Sequence, residues 1–344
     1  MSTTIRKVAA ALAAATLALG LAACGSESTD GQKTEDGLTK LTLQKYEGAL
    51  LYTSDIIAQE QGFYEDNGLE VSFVNPGDGA TSMQLLANGD TSGVIGDISG
   101  GLAAHSKGQP IVAVGSVINK NLFQISASKE LLSVEGDWKA KMTALKGRTI
   151  AVPGIGGSAS LTMTGLLESA GLDPEKDVTI VSVTTIPAAV SQLEQGTIDA
   201  FIYIPPAANV IENAGAGGLY LDIANDGPEE FQSALIAMLA NQKWAEENPD
   251  SVEAWVQSQQ DAIDWMRDPA NREAVIDVIA SNTTSDDRDL AGQLLDYLVD
   301  TAYSATPDGL PVDEEILQQQ IDTQVKGGVV ADGTLSADDM LVER

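Results

Sequence analysis

Apolar positions along this chain follow two rhythms. Short runs rich in Val, Ile and Leu, of strand length, alternate with stretches whose apolar residues recur three and four apart, the spacing of one helix face. The first series reads strand Leu38–Gln44, helix Ser54–Gln61 with Ile56 and Ile57 inward, strand Leu69–Val74, a helix carrying Met83, Leu85 and Leu86, short strand Val94-Ile95, helix Ser99–Ser106 and strand Ile111–Ile118. That alternation predicts a parallel sheet with helices on both faces. Strand Leu122–Ser128 opens a second series, with strands Thr149–Val152, Val178–Val183 and Ala200–Ile204 and helices from Ser158 and over Ala188–Gln195. Past residue 240 only the helical rhythm persists. Val252, Trp255, Val256, Gln259, Ile263 and Met266 form one stripe; Val275, Ile276 and Ile279 form another, and Leu290, Leu294, Leu295 and Leu298 continue it. Trp244, Trp255 and Trp265 fall in these packing patterns, and the helices are expected to brace the first series.

One stretch, Arg148–Leu172, concentrates the signals of a ligand-facing tip. Pro153 ends the strand, Gly154, Gly156 and Gly157 permit a tight turn, Ser158 is placed to cap the next helix, and Gly171 closes that helix. Such a unit presents free N–H groups and a helix-dipole end to whatever lies above the sheet. Gly154, Gly156 and Ala159 also fit the dinucleotide pattern G-x-G-x-x-G/A. Against that use, the following strand ends in Thr184 and Thr185, where a ribose-binding acid belongs. A small-ligand tip is the favoured reading.

Composition narrows location and partners. Arg6 and Lys7 precede the apolar run Val8–Leu21, too short to span a bilayer, and Leu21-Ala22-Ala23 leads to Cys24, the single cysteine. This resembles a lipoprotein signal over residues 1–23 and implies lipid attachment at Cys24, cleavage before it, and residence on the outer face of the cytoplasmic membrane. Residues 24–37 hold no large apolar group and are expected to form a disordered tether. With 50 acidic against 19 basic residues the net charge is −31, which argues against nucleic acid and anionic lipid surfaces as partners.

A series of short motifs in order, Leu50–Asp66 (LLYTSDIIAQEQGFYED), Gly68–Val71, Gly77-Asp78-Gly79, Leu86–Asp90 (LANGD), Gly108-Gln109-Pro110, Leu145-Lys146-Gly147 and Leu193–Ala200 (LEQGTIDA), resembles the solute-binding proteins of ABC importers. Within them the likeness is to the sulfonate, nitrate, taurine and thiamine-pyrimidine-precursor family. The resemblance implies an α/β, type 2 periplasmic binding fold: two doubly wound lobes, a hinge and C-terminal helices. Lobe 1 is expected over 38–119, lobe 2 over 120–235, and a return to lobe 1 with the C-terminal helices over 236–344, with crossings near Ile118–Phe123 and Phe231–Ile236. The implied partners are a small solute, a membrane permease and its separate ATPase, and the chain itself is expected to be a monomer.

In open α/β sheets ligands gather at strand C-ends and helix N-ends. That rule selects Tyr46, Glu47, Tyr52, Gly77, Asp78, Gly79, Asp97, Asn119, Asn121, Gly157, Ser158, Thr185 and Tyr203 as candidate ligand-binding residues. Asp78 and Asp97 suit helix caps equally well, and the tyrosines suit cleft walls. Among basic residues only Lys45 and Lys120 fall at cleft positions. With Glu47, Asp78 and Asp97 at the same mouth, the expected solute is neutral or amine-bearing, such as a nitrogen heterocycle, ahead of sulfonate, taurine or nitrate. Relatives of this fold include a fungal pyrimidine synthase that uses histidine chemistry and iron. Here His105 is the single histidine, and no G-x-S-x-G elbow or phosphate loop G-x-x-x-x-G-K-[ST] occurs. The chain is therefore expected to be non-catalytic, with no cofactor and no metal; a purely structural lipoprotein is the remaining alternative.

Overall fold

The computed structural model describes residues 30–304 and 306–342; the expected signal segment and Cys24 lie outside them. The first lobe begins with β1 (Thr39–Gln44), α1 (Thr53–Glu60), β2 (Leu69–Val74), α2 (Gly79–Asn88), β3 (Gly93–Asp97), α3 (Ile98–His105) and β4 (Ile111–Ile118). The chain then crosses over. The second lobe holds β5 (Gln124–Ser128), β6 (Thr149–Val152), α4 (Ser158–Ser169), β7 (Thr179–Ser182), α5 (Ile186–Gln195), β8 (Ala200–Tyr203), α6 (Ala207–Asn213) and β9 (Gly217–Asp222). Back in the first lobe come β10 (Ile236–Asn241), α7 (Pro249–Arg267), α8 (Arg272–Asn282), α9 (Arg288–Tyr297) and α10 (Glu314–Lys326).

Each lobe is built on a five-stranded sheet, in the orders β2-β1-β3-β10-β4 and β7-β6-β8-β5-β9. Neither sheet is purely parallel, which corrects the sequence expectation. β10 runs antiparallel to β3 and β4, and β5 antiparallel to β8 and β9. The reason is the crossing: each of these strands enters its sheet from the hinge side, where the other strands end, so it must run against them. β9, which sequence reading did not register, completes the second sheet. Its Gly217 is required by space, since a Cβ there would stand 2.1 Å from the Ala127 carbonyl oxygen on β5.

The two crossings lie side by side. The Asn121 backbone N–H donates to the Gln232 carbonyl (2.9 Å), and its side-chain amide donates to the Phe231 carbonyl (2.9 Å). Residues 30–37, expected in the tether, pair with the start of β1: Gly31 N–H donates to the Lys40 carbonyl (2.9 Å), and Asp30 accepts from the hydroxyls of Thr42 (2.7 Å) and Ser92. Polar residues without a core of their own are thus held by hydrogen bonds to the start of β1.

The C-terminal helices seal the first lobe. Trp255, Ile263 and Met266 of α7, Val275 and Ile279 of α8, and Leu290, Leu294 and Leu295 of α9 are buried in one cluster with Leu41, Leu43, Ile57 and Val114. The helical stripes read from sequence are therefore the buried faces, and Trp255 is fully enclosed. The second lobe carries its own core around Ile150, Val152, Met163, Leu166, Leu167 and Ile202.

Candidate functional site

Strand C-ends and helix N-termini of both lobes converge on a cavity of about 620 Å³. From the first lobe it is lined by Tyr46 and Glu47 after β1, Gly79 and Ser82 of α2, and Asp97 at the end of β3; from the second by Ser158, Ile186 and Tyr203 through Pro206. Asp97 caps α3, its Oδ1 accepting from the Ser99 N–H at 2.8 Å, and the same oxygen takes the Ser158 hydroxyl across the cleft at 3.3 Å. Burial raises the Asp97 pKa above the ordinary carboxylate range, against the opposing pull of these hydrogen bonds. Burial likewise raises Tyr46, with a hydrogen bond to Ser82 acting the other way. The rings of Tyr46 and Tyr52 lie 6.0 Å apart, tilted, while Tyr203 stacks on Phe201 at 5.3 Å. The result is an aromatic-walled chamber holding two carboxylates, with no lysine or arginine in its lining among the described residues.

The structure gathers seven of the sequence candidates around this chamber: Tyr46, Glu47, Tyr52, Gly79, Asp97, Ser158 and Tyr203. Tyr52 contributes from a nearly buried position, 1% exposed. Ser158 does not cap α4 as its position predicts. The N-cap is Gly157, no side chain caps the helix, and the hydroxyl is spent on Asp97 instead. Gly157 itself is outside the lining. Asp78 is the exposed cap of α2, accepting from Thr81, which holds its pKa below the usual value, and Gly77 sits in the turn before it. Thr185 caps α5 and leaves its neighbour Ile186 to face the chamber. Asn119 accepts the Ser116 hydroxyl (2.7 Å) at the end of β4, and Asn121 joins the crossings. Lys45 and Lys120 do not line the chamber; the Lys45 ammonium stands 4.5 Å from the Phe73 ring centre. Sequence reading missed Ile186, Ile204, Pro205 and Pro206. The strand-end rule that found Tyr203 reaches these residues too, but apolar side chains carry no chemical flag.

Comparison with known families matches residues 52–272 to the family described as NMT1/THI5 like. The chain belongs to that family. YtlA of Bacillus subtilis, named as a binding protein, is 23% identical over 310 residues, covering 89% of this chain and 87% of that one. The formylaminopyrimidine-binding protein of Halalkalibacterium halodurans is 24% identical over 266 residues, covering 77% and 76%. Among solved structures, the periplasmic aliphatic sulphonate-binding protein SsuA of Escherichia coli superposes with a TM-score of 0.69 at 19% identity, over 88% of this chain and 96% of that one.

The two-lobed architecture of this NMT1/THI5-like chain is the periplasmic binding protein fold. Its one histidine stands apart from the chamber. His105 lies on α3 with Nδ1 2.8 Å from the Ile111 carbonyl oxygen, and it faces a different surface cavity beside Gln242 and Asp339. Among the described residues no group of three or more His, Cys, Asp or Glu is placed to hold a metal ion.

Proposed function

We propose that this chain is the solute-binding lipoprotein of an ABC importer, capturing a small neutral or amine-bearing organic solute between its lobes. A nitrogen heterocycle of the pyrimidine type, such as a thiamine precursor, is the favoured class. One observation carries this reading: the interlobe chamber is lined by Asp97 and Glu47 together with Tyr46, Tyr52 and Tyr203 and, among the described residues, by no cationic side chain. An amine or amidine N–H pairs with a half-buried carboxylate, whereas an anion there would face like charge without a counter-ion. Flat rings stack on tyrosine, and the formylaminopyrimidine-binding relative supports a heterocycle.

A sulfonate or nitrate ligand is the second reading. It is favoured by the likeness to SsuA and by the α4 N-terminus, whose first N–H groups no side chain caps. On either reading the solute bridges the lobes, favouring closure through contacts the open form lacks, and the closed face docks on a permease served by a separate ATPase. Attachment through Cys24 to the outer face of the cytoplasmic membrane, with the chain as a monomer, belongs to the same proposal.

Titration calorimetry with formylaminopyrimidine, taurine, an alkanesulfonate and nitrate decides between the two. The heterocycle is expected to bind at least tenfold more tightly than any of the anions, and Asp97→Asn to weaken it at least tenfold. Protonation of Asp97 removes the charge an amine pairs with. Affinity for a cationic amine should therefore fall as pH drops through the raised Asp97 pKa, sooner than an ordinary carboxylate would require. Tight nitrate or sulfonate binding with no response to the heterocycle would reverse the ranking.

A further inference from the structure

We infer that the solute carries an apolar arm and that this arm occupies a separate pocket at the hinge. The inference rests on the proposed function and sharpens it to a ligand class: an amine-bearing head with a hydrophobic substituent about the size of one six-membered ring.

A second cavity, of about 220 Å³, adjoins the chamber. The two share Leu50, Leu51, Asp97, Tyr203, Ile204 and Pro205, so Asp97 belongs to the walls of both and stands at the boundary between them. The rest of its wall is hinge: Ile118, Leu122 and Phe123 from the outgoing crossing, Ala234 and Ile236 from the return, and Leu298 behind them. Polar groups in this wall are few. Asn121 is committed to the crossings, donating to the Phe231 carbonyl and accepting the Phe123 N–H at 3.0 Å. Tyr297 also belongs to the wall, and its hydroxyl is buried without a hydrogen-bond partner among the described residues.

An apolar cavity of roughly 150 Å³ is enough to take up benzene, so this one has room for a ring or a short branched chain. Water gains little from such walls. An arm entering from Asp97 would bury its carbons against both lobes and both crossings at once. Because the pocket walls come from both lobes, such contacts would add to the closing force as well as to affinity.

The test is calorimetry on the full chain with n-alkylamines from methylamine to octylamine, benzylamine, and 4-aminopyrimidine as the reference without an arm. Kd is expected to fall about fourfold per added methylene over the first several carbons. It should then level off as the chain outgrows the pocket, with benzylamine well below methylamine in Kd. Ala234→Leu, which extends a side chain from the pocket wall, should abolish the gain for hexylamine and benzylamine while leaving 4-aminopyrimidine within twofold. If 4-aminopyrimidine binds but the amine series is flat, the arm is refuted and the proposed function stands. A length-dependent gain unchanged in Ala234→Leu would refute the placement. Should no amine or heterocycle bind while an alkanesulfonate does, the proposed function fails and the arm with it.

Discussion

Asp55 of α1 is shut away from water, its Oδ1 accepting from the Tyr64 hydroxyl at 2.5 Å and the Gln259 amide at 2.8 Å. Burial outweighs these bonds and pushes its pKa up from 3.8 to about 7. The folded chain therefore keeps a proton that the unfolded chain releases. Stability should decline as pH rises from about 4 to about 7 and flatten above, because the folded state binds more protons across that window. Asp55→Asn retains an Oδ1 acceptor and cannot ionise. Melting temperatures between pH 4.5 and 8 should lose much of their downward slope in that variant, and an unchanged slope would refute the assignment. Gly93 makes a different demand: a Cβ there would lie 2.4 Å from the Trp255 ring of α7. Gly93→Ala should cost about 1–3 kcal/mol by overpacking, read from urea denaturation. The sequence marked Trp255 as a packing residue but gave no sign that Gly93 is its counterpart, since that pairing joins positions far apart in the chain.

Helix starts account for part of the acidity. Asp78, Asp97, Asp222, Asp287 and Asp313 each cap a helix by accepting backbone N–H groups, where the dipole favours negative charge. Asp313 accepts from both Glu315 and Ile316 at 3.0 Å, so Asp313→Ala should destabilise the fold by about 1 kcal/mol in urea denaturation. Element existence was legible because periodicity and caps are local: β1, β2 and β4 and the buried stripes of α7, α8 and α9 stand where the pattern puts them. One local reading gave way to its surroundings. Ser158 has cap chemistry, yet Asp97 of the other lobe competes for its hydroxyl. β10 is not among the strands read from the sequence, which marked only a crossing near Phe231–Ile236, and its entry from the hinge makes it antiparallel.

At the scale of the molecule, the lobes are joined by two crossings that Asn121 ties together through its side-chain bonds to Phe231 and Phe123. They meet again where Leu161 of α4 lies against Gly327 at the end of α10. Asn121→Ala removes two hydrogen bonds at the pivot. It should cost about 1–2 kcal/mol in chemical denaturation and broaden the distance distribution from small-angle scattering. Native-like scattering and stability in this variant would mean that the backbone bond from Asn121 to Gln232 alone sets the hinge.

The amino-acid order by itself determined the alternation of strands and helices, the two series, the buried helical faces and the residue types at strand tips, because each depends on spacing within a few neighbours. Tertiary structure decided which tips share one chamber. It drew Asp97 and Ser158 together, left Asp78, Asn119 and Thr185 to caps and turns, and built apolar walls from Ile186 and Ile204 through Pro206. The physical reason is that a cleft between lobes is a product of sheet order and crossing geometry, which bring together residues too distant in sequence for any local pattern to relate.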